Sequence, residues 1–344
     1  MKLAFPEAGA ALLLPLTLLA VFPAPAGNSP VGLSLAWLVC MLLLALPVSF
    51  LEFALVRRTR QWPLQGIAQI TRDTDVRTTW RAVVPLGLVL TALLAGLSAG
   101  TTADFMPVEP EWLTDAAPWL LLLPALGLAW AGVARFAGVG GLLAVAAVMT
   151  ALALGGGSWT LDLPDADGWR YAAMMALLTG GGGCSAWLAM RRTADDSAAA
   201  SVLPFWGLQL LSGVLMLMAG DLRHQPAACA YAVPALFTVA LMLEILMQQG
   251  MARGRSKPVA LGISAAAVAG VTVLAAVPTF LTVVQMVAVL PVLALAVFVG
   301  WVMKISHVRK ALNLPSEGVY NLWRVAVRLL VPLACLWVIA GRFL

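Results

Sequence analysis

The amino-acid sequence contains eleven apolar stretches, each long enough to cross the hydrocarbon core of a bilayer as a helix of about twenty residues. A soluble chain carries charge on roughly a quarter of its residues. Here 62% of the 344 residues are hydrophobic and only 11% are charged, so the surrounding solvent is predicted to be lipid. We therefore predict an all-α integral membrane protein with about 11 transmembrane helices. These predicted spans, numbered one to eleven, cover residues 8–24, 31–56, 80–100, 116–134, 137–156, 169–190, 201–220, 227–249, 258–277, 281–304 and 320–341.

The basic residues predict how the chain is oriented. With the N-terminus in the cytoplasm, all but three of the 21 Lys and Arg residues lie at cytoplasmic ends of spans, and the exceptions are Arg170, Arg223 and Arg342. Because cytoplasmic connections carry an excess of Lys and Arg, this asymmetry predicts a multi-pass protein of the inner (cytoplasmic) membrane. Its C-terminus is then predicted to be outside.

The first twenty-six residues also resemble a secretory signal peptide. Lys2 precedes an apolar run, and Ala24-Pro25-Ala26 is typical of a cleavage site. We expect the segment to be retained as span one. With either interpretation, span two enters the membrane from outside.

A polar, basic connection, residues 57–81, joins spans two and three. Six arginines lie in it, and basic segments beside a bilayer are attracted to anionic lipid. We predict an amphipathic segment on the cytoplasmic surface, and a binding platform for a partner is the alternative.

Seven short motifs, in order along nearly the whole chain, resemble the neurotransmitter:sodium symporter family. They are Phe22-Pro23, the run 46–60 (LPVSFLEFALVRRTR), Trp80-Arg81, Pro164-Asp165 before Trp169, Thr179 followed by four glycines, Gly300-Trp301, and Trp323-Arg324 with Pro332. The resemblance implies the LeuT-type fold, with a 5+5 inverted repeat plus one peripheral helix. The repeats would be residues 1–156 and 157–305, and residues 306–344 would form span eleven.

In that fold, spans one and six are discontinuous and frame a substrate site at mid-membrane. The resemblance therefore implies a substrate site formed by Thr179, Gly180, Gly181, Gly182, Gly183 and Thr17. Consecutive glycines also favour a break independently, because they permit nonhelical backbone whose polar groups need a cavity or polar partners. A closely packed helix crossing is the alternative, since small residues let membrane helices touch.

Two intramembrane glutamates need partners, because an unpaired charge in lipid costs several kcal/mol. The resemblance implies that Glu52 binds the freed backbone of span six, whereas a simple ion pair with Arg57 or Arg58 is the alternative. Glu244 resembles a position that is often acidic in bacterial members of the family. Alternatively, its side chain extends to the nearby membrane surface.

The sodium ligands of the family are mostly missing. Na⁺ prefers oxygen ligands, by analogy with other hard cations, yet in span one only Thr17 supplies a side-chain oxygen near the expected position, and in span eight only Thr238 does. In span seven, Gln209 is the nearest counterpart to the family's asparagine. Thr238 is thus the one candidate for a residual sodium ligand, and Na⁺ coupling has little side-chain support.

Two functions remain open on these grounds. One is a secondary transporter that moves a small amino acid or amine by alternating access. The other is a transport-incompetent scaffold or accessory subunit that binds partner membrane proteins. The four cysteines and two histidines show no metal-ligand spacing, so we expect neither an enzyme nor a cofactor. The basic residues lie at membrane surfaces, so we expect no nucleic-acid partner.

Overall fold

In the computed structural model, the described residues are 5–105, 110–155, 160–181, 197–220, 222 and 231–341. All regular elements within these ranges are helical. Nine described helical stretches are long and apolar enough to cross a membrane: Pro30–Thr59, Thr78–Phe105, Glu111–Ala131, Ala137–Leu154, Ala198–Ala219, Ala232–Ala252, Lys257–Ala275, Thr279–Val302 and Glu317–Ala340. They correspond to spans two to five and seven to eleven.

The remaining two predicted spans, one and six, are each described over fewer than 18 residues. Span one is the 17-residue apolar helix Phe5–Val21, and span six is described as the helix Ala166–Gly181. The predicted continuation of span six, through Gly182 and Gly183 to residue 190, lies outside the described residues. The all-helical membrane fold and the approximate number of spans are confirmed.

Span one is one uninterrupted α-helix, although Pro15 lies inside it. The resemblance implies a break in span one, whereas the sequence leaves open whether Pro15 breaks the helix or only kinks it, and the described helix is not broken at Pro15. Proline removes one internal hydrogen bond and usually kinks a helix rather than unwinding it over several residues. Packing keeps the helix intact on both sides of Pro15, because Leu13, Leu14, Leu16 and Leu18 are all buried in the core.

Within the described ranges, three spans contain a π-helical segment. In spans two and eleven these segments, Met41–Ala45 and Ala326–Leu330, end just before Pro47 and Pro332. A proline cannot donate a backbone hydrogen bond and its ring clashes with the preceding turn, and a π segment widens that turn. The third π segment, Phe298–Val302, ends span ten.

Span one lies inside the bundle and packs against spans five, seven and eight. A Cβ atom added to Gly9 would lie 1.8 Å from the carbonyl oxygen of Ala137, and one added to Gly141 would lie 2.5 Å from the Cα atom of Gly9. Glycine at these positions thus lets the backbones of spans one and five touch.

The connections pack together at two ends of the bundle. At one end, which we call the basic end, the helices Pro63–Asp73 and Ile305–Leu312 lie beside span two. There Arg58 pairs with Asp73, with 3.8 Å between nitrogen and oxygen. Lys257 donates a hydrogen bond of 2.6 Å to the carbonyl oxygen of Trp130. The predicted amphipathic segment at residues 57–81 thus contains a helix, Pro63–Asp73, with its apolar residues along one side.

The opposite end, the acidic end, joins the start of span two to the segment before span six. Asn28 donates a hydrogen bond of 3.0 Å to the Asp165 carboxylate, and Ser29 donates one of 3.1 Å to the carbonyl oxygen of Asp162. Hydrogen bonds from Gly168 and Asn28 lower the pKa of the exposed Asp165 carboxyl. These contacts connect two parts of the chain that are about 135 residues apart in sequence.

Candidate functional site

The two threonines predicted as site residues contact each other at the centre of the bundle. The hydroxyl oxygens of Thr17 and Thr238 are 2.8 Å apart, and both side chains are completely buried. Each hydroxyl also lies within hydrogen-bond distance of the carbonyl oxygen of Leu13, at 3.0 Å from Thr17 and 3.3 Å from Thr238. Spans one and eight are therefore joined by hydrogen bonds between protein groups at the position where the resemblance implies a sodium ligand.

Thr179, on span six, faces a glutamine of span seven. The side-chain amide of Gln209 donates a hydrogen bond of 3.2 Å to the backbone carbonyl oxygen of Thr179. Among the described residues, the Thr179 hydroxyl and the Gln209 side-chain oxygen are both buried without a hydrogen-bond partner. Unsatisfied polar atoms are uncommon in protein interiors and often mark functional positions.

The first two glycines of the run lie in an ordinary α-helix that packs closely on span two. A Cβ atom added to Gly180 would lie 2.7 Å from the carbonyl oxygen of Ala45, and one added to Gly181 would lie 2.8 Å from a methyl group of Val48. These two positions fit the alternative of a close helix crossing. The proposed break at Gly182 and Gly183 lies outside the described residues.

Glu52 is buried, with 4% of its surface exposed, and lines a cavity near the basic end that we call the basic-end cavity. The cavity has a volume of about 80 Å³ and is also lined by Thr59, Gly181 and Gln249 among mostly apolar side chains. Because a single water needs about 10–15 Å³ on such a measure, there is room for a molecule with several non-hydrogen atoms. Glu52 and the last described glycine of span six therefore face the same space.

Gln249 is a polar residue of this cavity that the sequence analysis missed. Only 2% of its surface is exposed, and its side-chain oxygen accepts a 3.4 Å hydrogen bond from the backbone of Leu64. Its amide nitrogen is buried and has no hydrogen-bond partner in the part of the chain that the structure describes. Only the position of Gln249 inside an apolar span could have indicated a buried polar group. That signal is weak, because Gln249 lies near the end of the span, where polar residues are common.

Glu244 is buried inside the bundle, with 2% of its surface exposed, and does not extend to the membrane surface. Its carboxylate accepts a 3.2 Å hydrogen bond from the backbone of Ala134. Ala134 follows Gly132, whose φ of +89° is favourable only for glycine. Glu244 therefore binds the turn between spans four and five to span eight.

Tyr171 is a second residue that the sequence analysis missed. Its hydroxyl donates a 2.8 Å hydrogen bond to the carbonyl oxygen of Phe22, just after span one, and lies 3.4 Å from that of Leu19. The last carbonyl groups of a helix lack partners within it. The Tyr171 hydroxyl thus supplies a hydrogen-bond donor to one of these carbonyl groups, and it joins the end of span one to span six.

No protein-family model matches the sequence, and a search of curated proteins finds no relative. The fold does have known counterparts. The solved structure of MhsT in complex with L-phenylalanine matches this chain with a TM-score of 0.73 over 99% of both chains, at 14% sequence identity. The chain therefore has the LeuT-type fold, as the motifs predicted. The boundaries of the two inverted repeats stay a prediction.

Proposed function

We propose that this chain is a secondary transporter for a small amino acid or amine, that it works by alternating access, and that it does so without Na⁺ coupling. The basic-end cavity is the observation that carries this proposal. It lies between spans two, three, six, eight and ten, so relative movement of these spans would open or close it. Transporter sites lie between helices that move relative to one another, near mid-membrane, and this cavity lies towards the basic end from there.

The lining of the cavity supports the proposed substrate class. Its walls are mostly apolar, the Gln249 amide offers a hydrogen-bond donor, and the buried Glu52 side chain adds carboxyl oxygens to the lining. A substrate with an apolar body, one acceptor group and an amine would be complementary to such walls. The L-phenylalanine bound to MhsT makes that amino acid the first candidate.

The Thr17–Thr238 contact supports independence from Na⁺. A bound ion would have to displace a 2.8 Å hydrogen bond between two buried hydroxyls. Binding would then have to outweigh this loss, which costs about 1 kcal/mol or more.

Uptake by proteoliposomes tests the proposal. We expect saturable uptake of radiolabelled L-phenylalanine or a related amino acid or amine, at the same rate with a Na⁺ gradient as with a K⁺ gradient. Uptake that requires Na⁺ would disprove the proposed independence from Na⁺. Absence of uptake for all substrates tested would disprove the transporter.

Replacement of Gln249 tests the cavity itself. Gln249→Leu removes the amide donor and keeps similar volume, so we expect KM to rise about threefold to tenfold, the value of one hydrogen bond. The neighbouring Gln248→Leu is the matched control, because Gln248 is only partly buried, and its KM should be unchanged. If both variants had the same KM, the substrate would have to bind outside the basic-end cavity.

A scaffold is the second candidate function, and the packing of span one favours it. Span one is continuous, and its leucines fill the interior where the fold would otherwise hold a substrate. If this function is correct, the chain should copurify with partner membrane subunits in fixed stoichiometry and show no uptake.

A further inference from the structure

Two arginines of span eleven lie side by side without a carboxylate partner. Arg324 and Arg328 are four residues apart in a helical stretch and line the same cleft between spans ten and eleven. Within the described part of the chain, neither forms an ion pair, and the Nε atom of Arg324 is buried without any acceptor. Like charges at this spacing repel each other, and a partly buried charge without a counter-ion is costly.

The position of Arg328 is held by contacts between two π segments. Its Nε atom donates to the carbonyl oxygen of Gly300, and its guanidinium lies 5.1 Å from the ring centre of Trp301. In return, the indole nitrogen of Trp301 donates a 3.3 Å hydrogen bond to the carbonyl oxygen of Arg328. The cleft is therefore preorganised, and π segments are often found at functional sites.

The surface around the cleft is apolar and exposed, as expected for a helix that contacts lipid. Leu322, Val325 and Leu329 are more than half exposed and project from the same helix. Span eleven begins at Glu317, so a rise of about 1.5 Å per residue puts Arg324 roughly 10 Å from the start of the helix. That distance is close to the boundary between the polar region of a bilayer, about 5–8 Å thick on each side, and its hydrocarbon core, and a long arginine side chain can extend from there towards the headgroups.

We propose that this cleft binds the phosphate headgroup of an anionic phospholipid through Arg324 and Arg328. The phosphodiester accepts charge-assisted hydrogen bonds from the guanidinium of Arg324, which is planar and suited to phosphate, while its acyl chains lie along the exposed leucines. An anionic headgroup is favoured over a zwitterionic one because two positive charges face a single site. This inference is independent of the proposed transport activity.

Native mass spectrometry of the purified full-length protein tests the inference. We expect phosphatidylglycerol to remain bound more strongly than phosphatidylcholine, and Arg324→Gln to weaken phosphatidylglycerol binding about fivefold, as expected for the loss of one basic residue near anionic lipid. Arg255→Gln is the matched control, since it removes an exposed charge from the same basic end, and it should have no effect. Arg324→Lys, which keeps the charge, should retain most of the binding.

Three results would overturn the inference. They are equal retention of the two lipids by the wild type, equal weakening by Arg324→Gln and Arg255→Gln, and displacement of the lipid by millimolar inorganic phosphate, which would identify a site for the free anion. If Arg324→Gln does not fold, the inference is still tested by the preference of the wild type for phosphatidylglycerol and by the binding that Arg324→Lys retains.

Discussion

At the scale of single residues, the interior of this protein is held by a few polar side chains in a large apolar core. Thr17, Gln209, Thr238 and Glu244 are all buried, and each has a polar contact with another span. Hydrogen bonds between membrane helices contribute about 0.6 kcal/mol on average and up to about 1.7 kcal/mol. Their main effect is therefore to specify which helices meet.

Thr17→Val tests the contact between spans one and eight. The change keeps the shape of the side chain and removes the hydroxyl, so we expect the free energy of unfolding to fall by about 1 kcal/mol. In a double-mutant cycle with Thr238→Val, the coupling energy should be about 0.6 kcal/mol. Thermal unfolding in detergent measures both values.

Thr150→Val is the control for this change, because Thr150 is exposed and bonds only within its own helix, and it should be neutral. Replacement of Na⁺ by K⁺ should leave the Tm of the wild type unchanged. A Tm that rises with Na⁺ concentration would show ion binding and contradict our interpretation of the threonine pair.

Glu52→Gln tests the role of the buried carboxylate in span two. The amide has nearly the same size as the carboxyl group but cannot carry a charge. We therefore expect the free energy of unfolding to fall by about 1–3 kcal/mol, as it does when a buried group loses its preferred partners. Glu111→Gln provides the comparison, because Glu111 is exposed at the start of span four. If both variants have the wild-type Tm and uptake rate, Glu52 has no structural role.

At the scale of helices, glycine positions decide how closely neighbouring spans approach. Gly180 of span six contacts the backbone of span two at the π segment Met41–Ala45. Gly207 of span seven has open space where a Cβ atom would be. The two positions therefore predict opposite effects for the same substitution.

Gly180→Ala should destabilise the protein by about 1–3 kcal/mol, because the added methyl group meets a rigid backbone carbonyl. Gly207→Ala should instead be neutral or stabilising by up to about 1 kcal/mol, since alanine favours a helix and meets nothing. Thermal unfolding of the two purified variants checks both signs. If Gly180→Ala left the free energy of unfolding unchanged, spans two and six would have to be farther apart than this close contact implies.

At the scale of the whole molecule, the distribution of charge predicts the orientation of the bundle. The basic end collects the connections 57–81, 253–257 and 303–316, and the positive-inside rule puts such an end in the cytoplasm. The long apolar helices of the protein identify it as a multi-pass membrane protein. Its orientation is a prediction from charge.

Reporter domains test the orientation. Green fluorescent protein inserted at the exposed turn of Gly254 should fluoresce, and a phosphatase joined after Leu344 should be active, because that enzyme folds only outside the cytoplasm. Exchange of the two reporters should abolish both signals. The reverse pattern would show an inverted bundle.

Much of the fold could be predicted from the sequence because lipid imposes a simple rule, namely that each crossing needs about twenty apolar residues in a helix. The bounds of Glu111–Ala131 and Ala232–Ala252 differ from the predicted bounds by at most five residues. Seven short motifs in order along the chain, among them those around Glu52 and Trp80, indicated the LeuT-type fold, which the structural match to MhsT confirms.

The continuity of span one and the partners of its polar groups were decided only by tertiary structure. Pro15 is compatible with a kinked or a broken helix, and the neighbouring spans determine which one forms. The pairing of Thr17 with Thr238 joins residues 221 positions apart, and no local pattern encodes such a contact. Apolar length determines that a segment crosses the membrane, whereas the packing of side chains between spans determines what each crossing contacts.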